Sequence, residues 1–207
     1  DVSGVATGSM LLQTATMIVT GLSMGVTISV GEKIGMRKPR EAGQAIGSGI
    51  CLFAVFAVVM TGTLVGGAGI LAGLLHAPEE AFGQTVAYIR ICGSGSLFIV
   101  AYNLLGAVFR GIGDSKTPFV TVSIACVINI VGDLVLVAGF GMGAAGAALA
   151  TVAAQTFSVL ISFVIIRRKR ALPFEFSRKF ICFDKKIIAK ELKLGTPVAL
   201  QEFLVGT

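Results

Sequence analysis

The sequence predicts an all-α integral membrane protein: a polytopic bundle of about five membrane-spanning helices plus the start of a sixth. Three observations carry this. Hydrophobic residues make up 55% of the 207 positions and charged residues only 14%, and the mean hydropathy is +0.90, too apolar for a water-soluble domain of this length. The apolar residues are gathered into runs at 2–31, 42–75, 81–109, 117–138 and 144–166, each long enough to cross a hydrocarbon layer of about 30 Å. All Lys and Arg except Arg90 lie in loops 32–41, 110–116 and 167–193, and these alternate with loops 76–80 and 139–143, which hold none. Such alternation places the basic loops in the cytoplasm and the chain in the cell inner (plasma) membrane as a multi-pass protein.

The first run, 2–31, carries no charge, but Ser9, Gln13, Thr16, Thr20, Ser23 and Thr27 recur at steps of four and three. That spacing draws one polar stripe down one helix face. A stripe of this kind is either the wall of a water-accessible cavity or a hydroxyl-rich helix contact. Gln13, Thr16, Thr20 and Ser23 are therefore candidate cavity-lining residues, with Asn103 of the third run. Pro39 ends any continuous helix in the basic loop. The second run, 42–75, holds Gly43/Gly47, Gly62/Gly66 and Gly69/Gly73, spacings expected to support close helix contact. His76, the single histidine, falls in a short acidic turn with Glu79 and Glu80 and reads as a solvated rim residue. In the third run Arg90 lies near the outer end, from where its long side chain can snorkel to the interface. A Gly-rich polar turn, Arg110 to Pro118, leads into the fourth run.

The fourth and fifth runs contain one charge, Asp133. Asn129 lies four residues before it, on the same helix face, and Thr151 lies beyond the break Gly139-Phe140-Gly141-Met142-Gly143. If that break is a tight turn between antiparallel helices, a rise of about 1.5 Å per residue puts Asp133 about 12 Å, Thr151 about 15 Å and Asn129 about 18 Å from Gly141. All three then meet near mid-membrane. A carboxylate at that depth is costly and faces protein or water. With an amide oxygen and a hydroxyl it forms a candidate site for Na⁺ or a proton. The alternative is a buried acid that only holds two helices together.

Other chemistries are excluded. Cys51, Cys92, Cys126 and Cys182 have neither CxxC spacing nor a histidine partner, so no metal or redox chemistry follows, and no metal is expected beyond a Na⁺ at Asp133. Gly141-Met-Gly-Ala-Ala-Gly146 matches GxGxxG, but the acid expected about twenty residues on is missing. The net charge of +6 is mostly a topology signal and calls for no nucleic acid, while Arg167-Arg168-Lys169-Arg170 suits anionic lipid headgroups. One histidine at a rim and one acid at mid-depth supply no nucleophile with its base, so no enzyme and no organic cofactor is expected. The chain starts without Met and stops inside an apolar segment, and reads as an internal fragment.

The order of features resembles the multidrug and toxic compound extrusion (MATE) family. The resemblance rests on Gly21-Leu-Ser-Met-Gly-Val-Thr27, Tyr102-Asn103, Arg110-Gly-Ile-Gly-Asp-Ser-Lys-Thr-Pro118, Asn129-Ile-Val-Gly-Asp133, Gly143 to Thr151, and Gly195-Thr-Pro-Val-Ala-Leu-Gln201. It implies an exporter of twelve helices in two lobes, of which this chain resembles helices two to six of the amino-terminal lobe (1–166), a basic inter-lobe linker (167–193) and the start of the carboxy-terminal lobe's first helix (194–207). The partners implied are small cationic or amphipathic organic compounds, membrane lipids, and the first helix and carboxy-terminal lobe of the same protein. The resemblance also implies alternating access driven by Na⁺ or H⁺, with Asn129, Asp133 and Thr151 at the positions of the family's cation site. The acid in the fifth helix resembles the DinF-like branch. Alternatives are a lipid-linked flippase or polysaccharide exporter of the same superfamily, or a membrane scaffold that transports nothing.

Overall fold

The computed structural model describes residues 2–168, 172–175 and 177–205, and among these every regular element is helical. Lys169 and Arg170 of the basic cluster lie outside the described residues. Helix α1 (Val2–Gly35) ends at the basic loop, and α2 (Pro39–Gly66) starts on the proline, whose missing N–H costs nothing in a first turn. The short α3 (Ala68–Leu74) follows, then α4 (Glu79–Ser94), α5 (Ser96–Gly111), α6 (Lys116–Asp133), α7 (Gly143–Arg168) and α8 (Lys185–Val205).

Helix α1 is the central pillar, packed along α8, α5, α4 and α2. Its Val19, Val26 and Val30 are fully buried, in a core with Phe53, Leu64, Val100 and Leu104. A second, smaller core joins Tyr88 and Cys92 of α4 to Ala144 and Ala148 of α7. The small side chains of α7 let α4 come close, and Gly95 does the same, since a Cβ there would run into Val152.

Four helical stretches, Ala6–Gly35, Pro39–Gly66, Lys116–Gly139 and Gly143–Arg168, are long and apolar enough to cross a membrane. The third expected span, 81–109, is the bent pair α4 and α5, turned by 52° at Gly95. The second expected span is also broken, because its helix stops at Gly66 and restarts as α3 after Gly67. Among the described residues the chain is thus a multi-pass, all-helical inner-membrane protein of four to five spans.

Two expectations need correction. The spacings Gly62/Gly66 and Gly69/Gly73 make no helix contact: a Cβ added at any of the four would meet nothing within 4 Å. Gly43 and Gly47 do receive a close neighbour, but it is the linker backbone at Glu175 and Phe180 instead of a helix. Spacing alone does not say which face of a helix is covered. The linker is therefore docked on the start of α2, with Phe174 buried and the Glu175 N–H donating to the Pro39 carbonyl at 3.2 Å. His76 is exposed in a left-handed turn (φ 53°), as expected of a rim residue. Arg90 is exposed on α4.

Candidate functional site

Helices α6 and α7 are joined by the expected tight turn, with Gly141 and Gly143 at φ 66° and 55°, where a side chain would be strained. Gly132 fixes how near the helices come, because a Cβ there would lie 2.8 Å from that of Ala150. This approach brings Asn129 onto Thr151: the Asn129 Nδ2 donates to the Thr151 Oγ1 at 3.4 Å. The Thr151 hydroxyl in turn donates to the Ala147 carbonyl at 3.0 Å. The Asn129 amide oxygen is not used in either bond.

Asp133 is the last residue of regular α-helix. The chain then widens into a π-wound segment, Leu134–Gly139, in which the Phe140 N–H bonds the Val135 carbonyl at 3.0 Å. Such widened turns inside helices are frequent at functional sites. The Asp133 side chain is half-buried, and its Oδ1 is buried with no hydrogen-bond partner. A buried carboxylate oxygen without a partner is expensive, so it is poised to take a proton or a cation. Asn129 and Thr151 are thus brought together, whereas Asp133, one helical turn on from Asn129, has no hydrogen bond to either at its buried oxygen.

A fourth residue, absent from the sequence reading, connects this group to the rest of the bundle. Tyr88 of α4 is buried, reaches the side chains of Thr151 and Cys92, and lies in the electrostatic field of Asp133. Tyr88 also lines an open groove of about 390 Å³ with Ser9, Gln13, Thr16 and Thr20 of α1 and Glu202 of α8. It therefore stands between groove and acid. Its signal in the sequence is the buried series Ala81, Thr85, Tyr88 and Cys92 on α4, in which one member carries a hydroxyl at the tip of an aromatic ring.

The polar stripe on α1 divides at Thr20. Gln13, Thr16 and Thr20 line the groove as expected, whereas Ser23 is fully buried and donates to the Thr20 carbonyl at 2.7 Å. The Thr27 hydroxyl reaches the Ala107 carbonyl of α5 at 3.2 Å. Ser23 is thus closed off from solvent in this structure, and α5 bonds the stripe at Thr20 and Thr27 on either side of it. Asn103 is buried too. It accepts from the Thr20 hydroxyl at 3.0 Å and donates to the Ile99 carbonyl at 2.8 Å, and it lines a separate small cavity of about 40 Å³ with Tyr102, Arg110 and Ser162.

The described residues thus make a polytopic helical bundle with a half-buried acid one turn from the Asn129–Thr151 pair and an open groove on α1, α4 and α8. The family model MatE matches residues 1–135, and the chain belongs to that family. It is 33% identical over 157 residues to a probable multidrug resistance protein, YpnP, of Bacillus subtilis (strain 168), covering 72% of this chain and 35% of that protein. A second protein described in the same way, YoeA of the same strain, is 30% identical over 195 residues, covering 90% of this chain and 42% of the relative. The chain thus spans less than half the length of these relatives. Among solved structures, a MATE family transporter of the MOP superfamily in an inward-facing conformation matches with a TM-score of 0.86 at 24% identity, covering 93% of this chain and 44% of that one. The outward-facing conformation of a transporter described in the same terms matches at 0.87 and 24% identity, over 96% and 44%.

Proposed function

We propose that this chain is most of the amino-terminal lobe, with the linker and the opening of the second lobe, of a Na⁺- or H⁺-coupled multidrug exporter that works by alternating access. The observation that carries the reading is the free buried oxygen of Asp133, one helical turn from the Asn129–Thr151 pair and within electrostatic reach of Tyr88 at the edge of the groove. A proton or Na⁺ at Asp133 removes an unpartnered charge from the helix pair and so changes which packing is favoured. Tyr88 gives that change a route to the groove, where Gln13, Thr16 and Thr20 offer neutral polar contacts and Glu202 offers a carboxylate. A groove whose charged lining residue is an acid suits cationic cargo better than anionic lipid-linked sugars. The relatives are described as resistance proteins and not as enzymes, which supports a transport role. Near-equal likeness to inward- and outward-facing structures supports a bundle that rocks as a body and does not refold. The basic loops 32–41, 110–116 and 167–193 face the cytoplasm in this account.

The test is export of ethidium by the full-length parent in everted vesicles, with separate Na⁺ and H⁺ gradients. Asp133→Asn is expected to insert normally and to lose gradient-driven export. Export at the native rate by that variant makes Asp133 structural and moves coupling elsewhere.

A further inference from the structure

Glu191 lies outside the polar trio and the groove. It belongs to a buried stripe on α8, Ile188, Glu191, Gly195 and Ala199, whose other members are apolar or small and whose spacing of three, four and four marks one helix face. That face is pressed on α1. A Cβ added at Gly25 would overlap the Glu191 carbonyl oxygen, one at Gly21 would overlap the Ala199 backbone, and one at Gly195 would come within 2.8 Å of the Leu22 carbonyl oxygen. The Glu191 side chain is 1% exposed, and neither of its carboxyl oxygens has a hydrogen-bond partner.

An ionised carboxylate does not persist in such surroundings without a counter-charge. The charged groups that the neighbouring helices turn toward α8 are Glu32 and Lys33 of α1 and Glu41 of α2. All are committed: Lys190 holds Glu32 at 2.6 Å, and Lys33 holds Glu41 at 2.7 Å. On α8 itself, Lys186 and Lys190 line an open cleft of about 370 Å³ beside Ser29, and Lys185 and Lys193 are exposed. Burial pushes the Glu191 carboxyl up to about 8.

We propose that Glu191 is a proton-binding site at the basic end of the bundle, protonated while α8 is sealed on α1 and ionised when α8 lifts away. On opening, the carboxyl O–H bond breaks, the proton passes to water in the cleft, and the negative charge stays on Glu191. In the open seam the group returns to the ordinary range near 4.5, so the sealed form binds the proton more tightly. Rising pH between about 4.5 and about 8 therefore favours the open seam, and above about 8 it adds nothing further. This consequence rests on α8 opening a second lobe that moves against the first. The tests below need no transport, so they fail or succeed separately from the export reading.

The first test is carbodiimide modification of the purified full-length parent in detergent, read by mass spectrometry of the Glu191 peptide across pH. The adduct is expected at Glu191 at neutral pH with a midpoint near 8. No adduct at Glu191, or a midpoint in the ordinary carboxyl range, overturns the proposal. The second test labels Ser29→Cys with a hydrophilic maleimide in a background free of other cysteines, normalised to Arg37→Cys. With Glu191 present the ratio should rise at least about threefold from pH 6 to pH 9, as ionisation goes from about 1% to about 90%. With Glu191→Gln it should stay low and flat, and an equal rise in that variant overturns the proposal. If the Gln variant does not fold, the carbodiimide titration of the native protein decides.

Discussion

Asp133 and Glu191 both carry buried carboxyl oxygens without partners, yet their surroundings are opposite. Asp133 sits at a loose edge: α6 buries only Thr117, Thr121 and Ala125, and the π-wound segment that follows buries nothing. Glu191 sits in a seam where glycines bring two backbones into contact. An acid at a loose edge can exchange a proton or ion without parting any helices, which suits a coupling site. An acid in a glycine seam holds its proton more tightly while the helices are together, which ties its proton to closure. The chemistry is one carboxyl in each case, and the packing decides what it can do.

One substitution type ranks these environments. Gly25→Ala puts a methyl group onto the Glu191 carbonyl and is expected to cost the most, upward of about 3 kcal/mol or loss of folded protein, since backbone cannot step aside. Gly132→Ala beside Asp133 meets the Ala150 methyl at 2.8 Å and the Ala150 Cα at 3.3 Å, and a cost of about 1 to 2 kcal/mol is expected as α6 shifts. Gly62→Ala faces open space and should gain about 0.5 kcal/mol from helix propensity. Thermal unfolding of the three purified variants checks the order. If Gly25→Ala is as mild as Gly62→Ala, the seam is not tight and the contrast collapses. Thr151→Val sharpens the Asp133 side: it removes the acceptor of Asn129, and a loss of about 0.5 to 1.5 kcal/mol is expected in the same assay. At the small end is Lys190→Ala. Its partner Glu32 is held by an exposed pair, and no measurable change in melting temperature is expected.

Much of this was legible in the residues. Five apolar runs and alternating basic loops gave the spans, and counting from the glycine turn put Asn129 level with Thr151, where their side chains meet. The breaks were less legible. Gly95 bends because Val152 of α7 fills the space where its side chain would be, a fact of tertiary packing that lies 57 positions away in the chain. The α1 stripe repeats evenly from Ser9 to Thr27, so nothing local tells that Ser23 is closed off from solvent. Glu191 stayed hidden because the stretch to Lys193 is rich in lysine and reads as a solvated linker. Helix α8 in fact begins at Lys185, and only its 3-4-4 spacing marks the buried face.

The most direct measurement of the central claim is ion release by the purified full-length parent when ethidium is added, followed with a pH dye in weak buffer and with a Na⁺ electrode. The native protein is expected to release a proton or Na⁺ as cargo binds, and Asp133→Asn to release one fewer per molecule. Equal release by the two proteins would contradict the account and place the exchanged ion away from Asn129, Asp133 and Thr151.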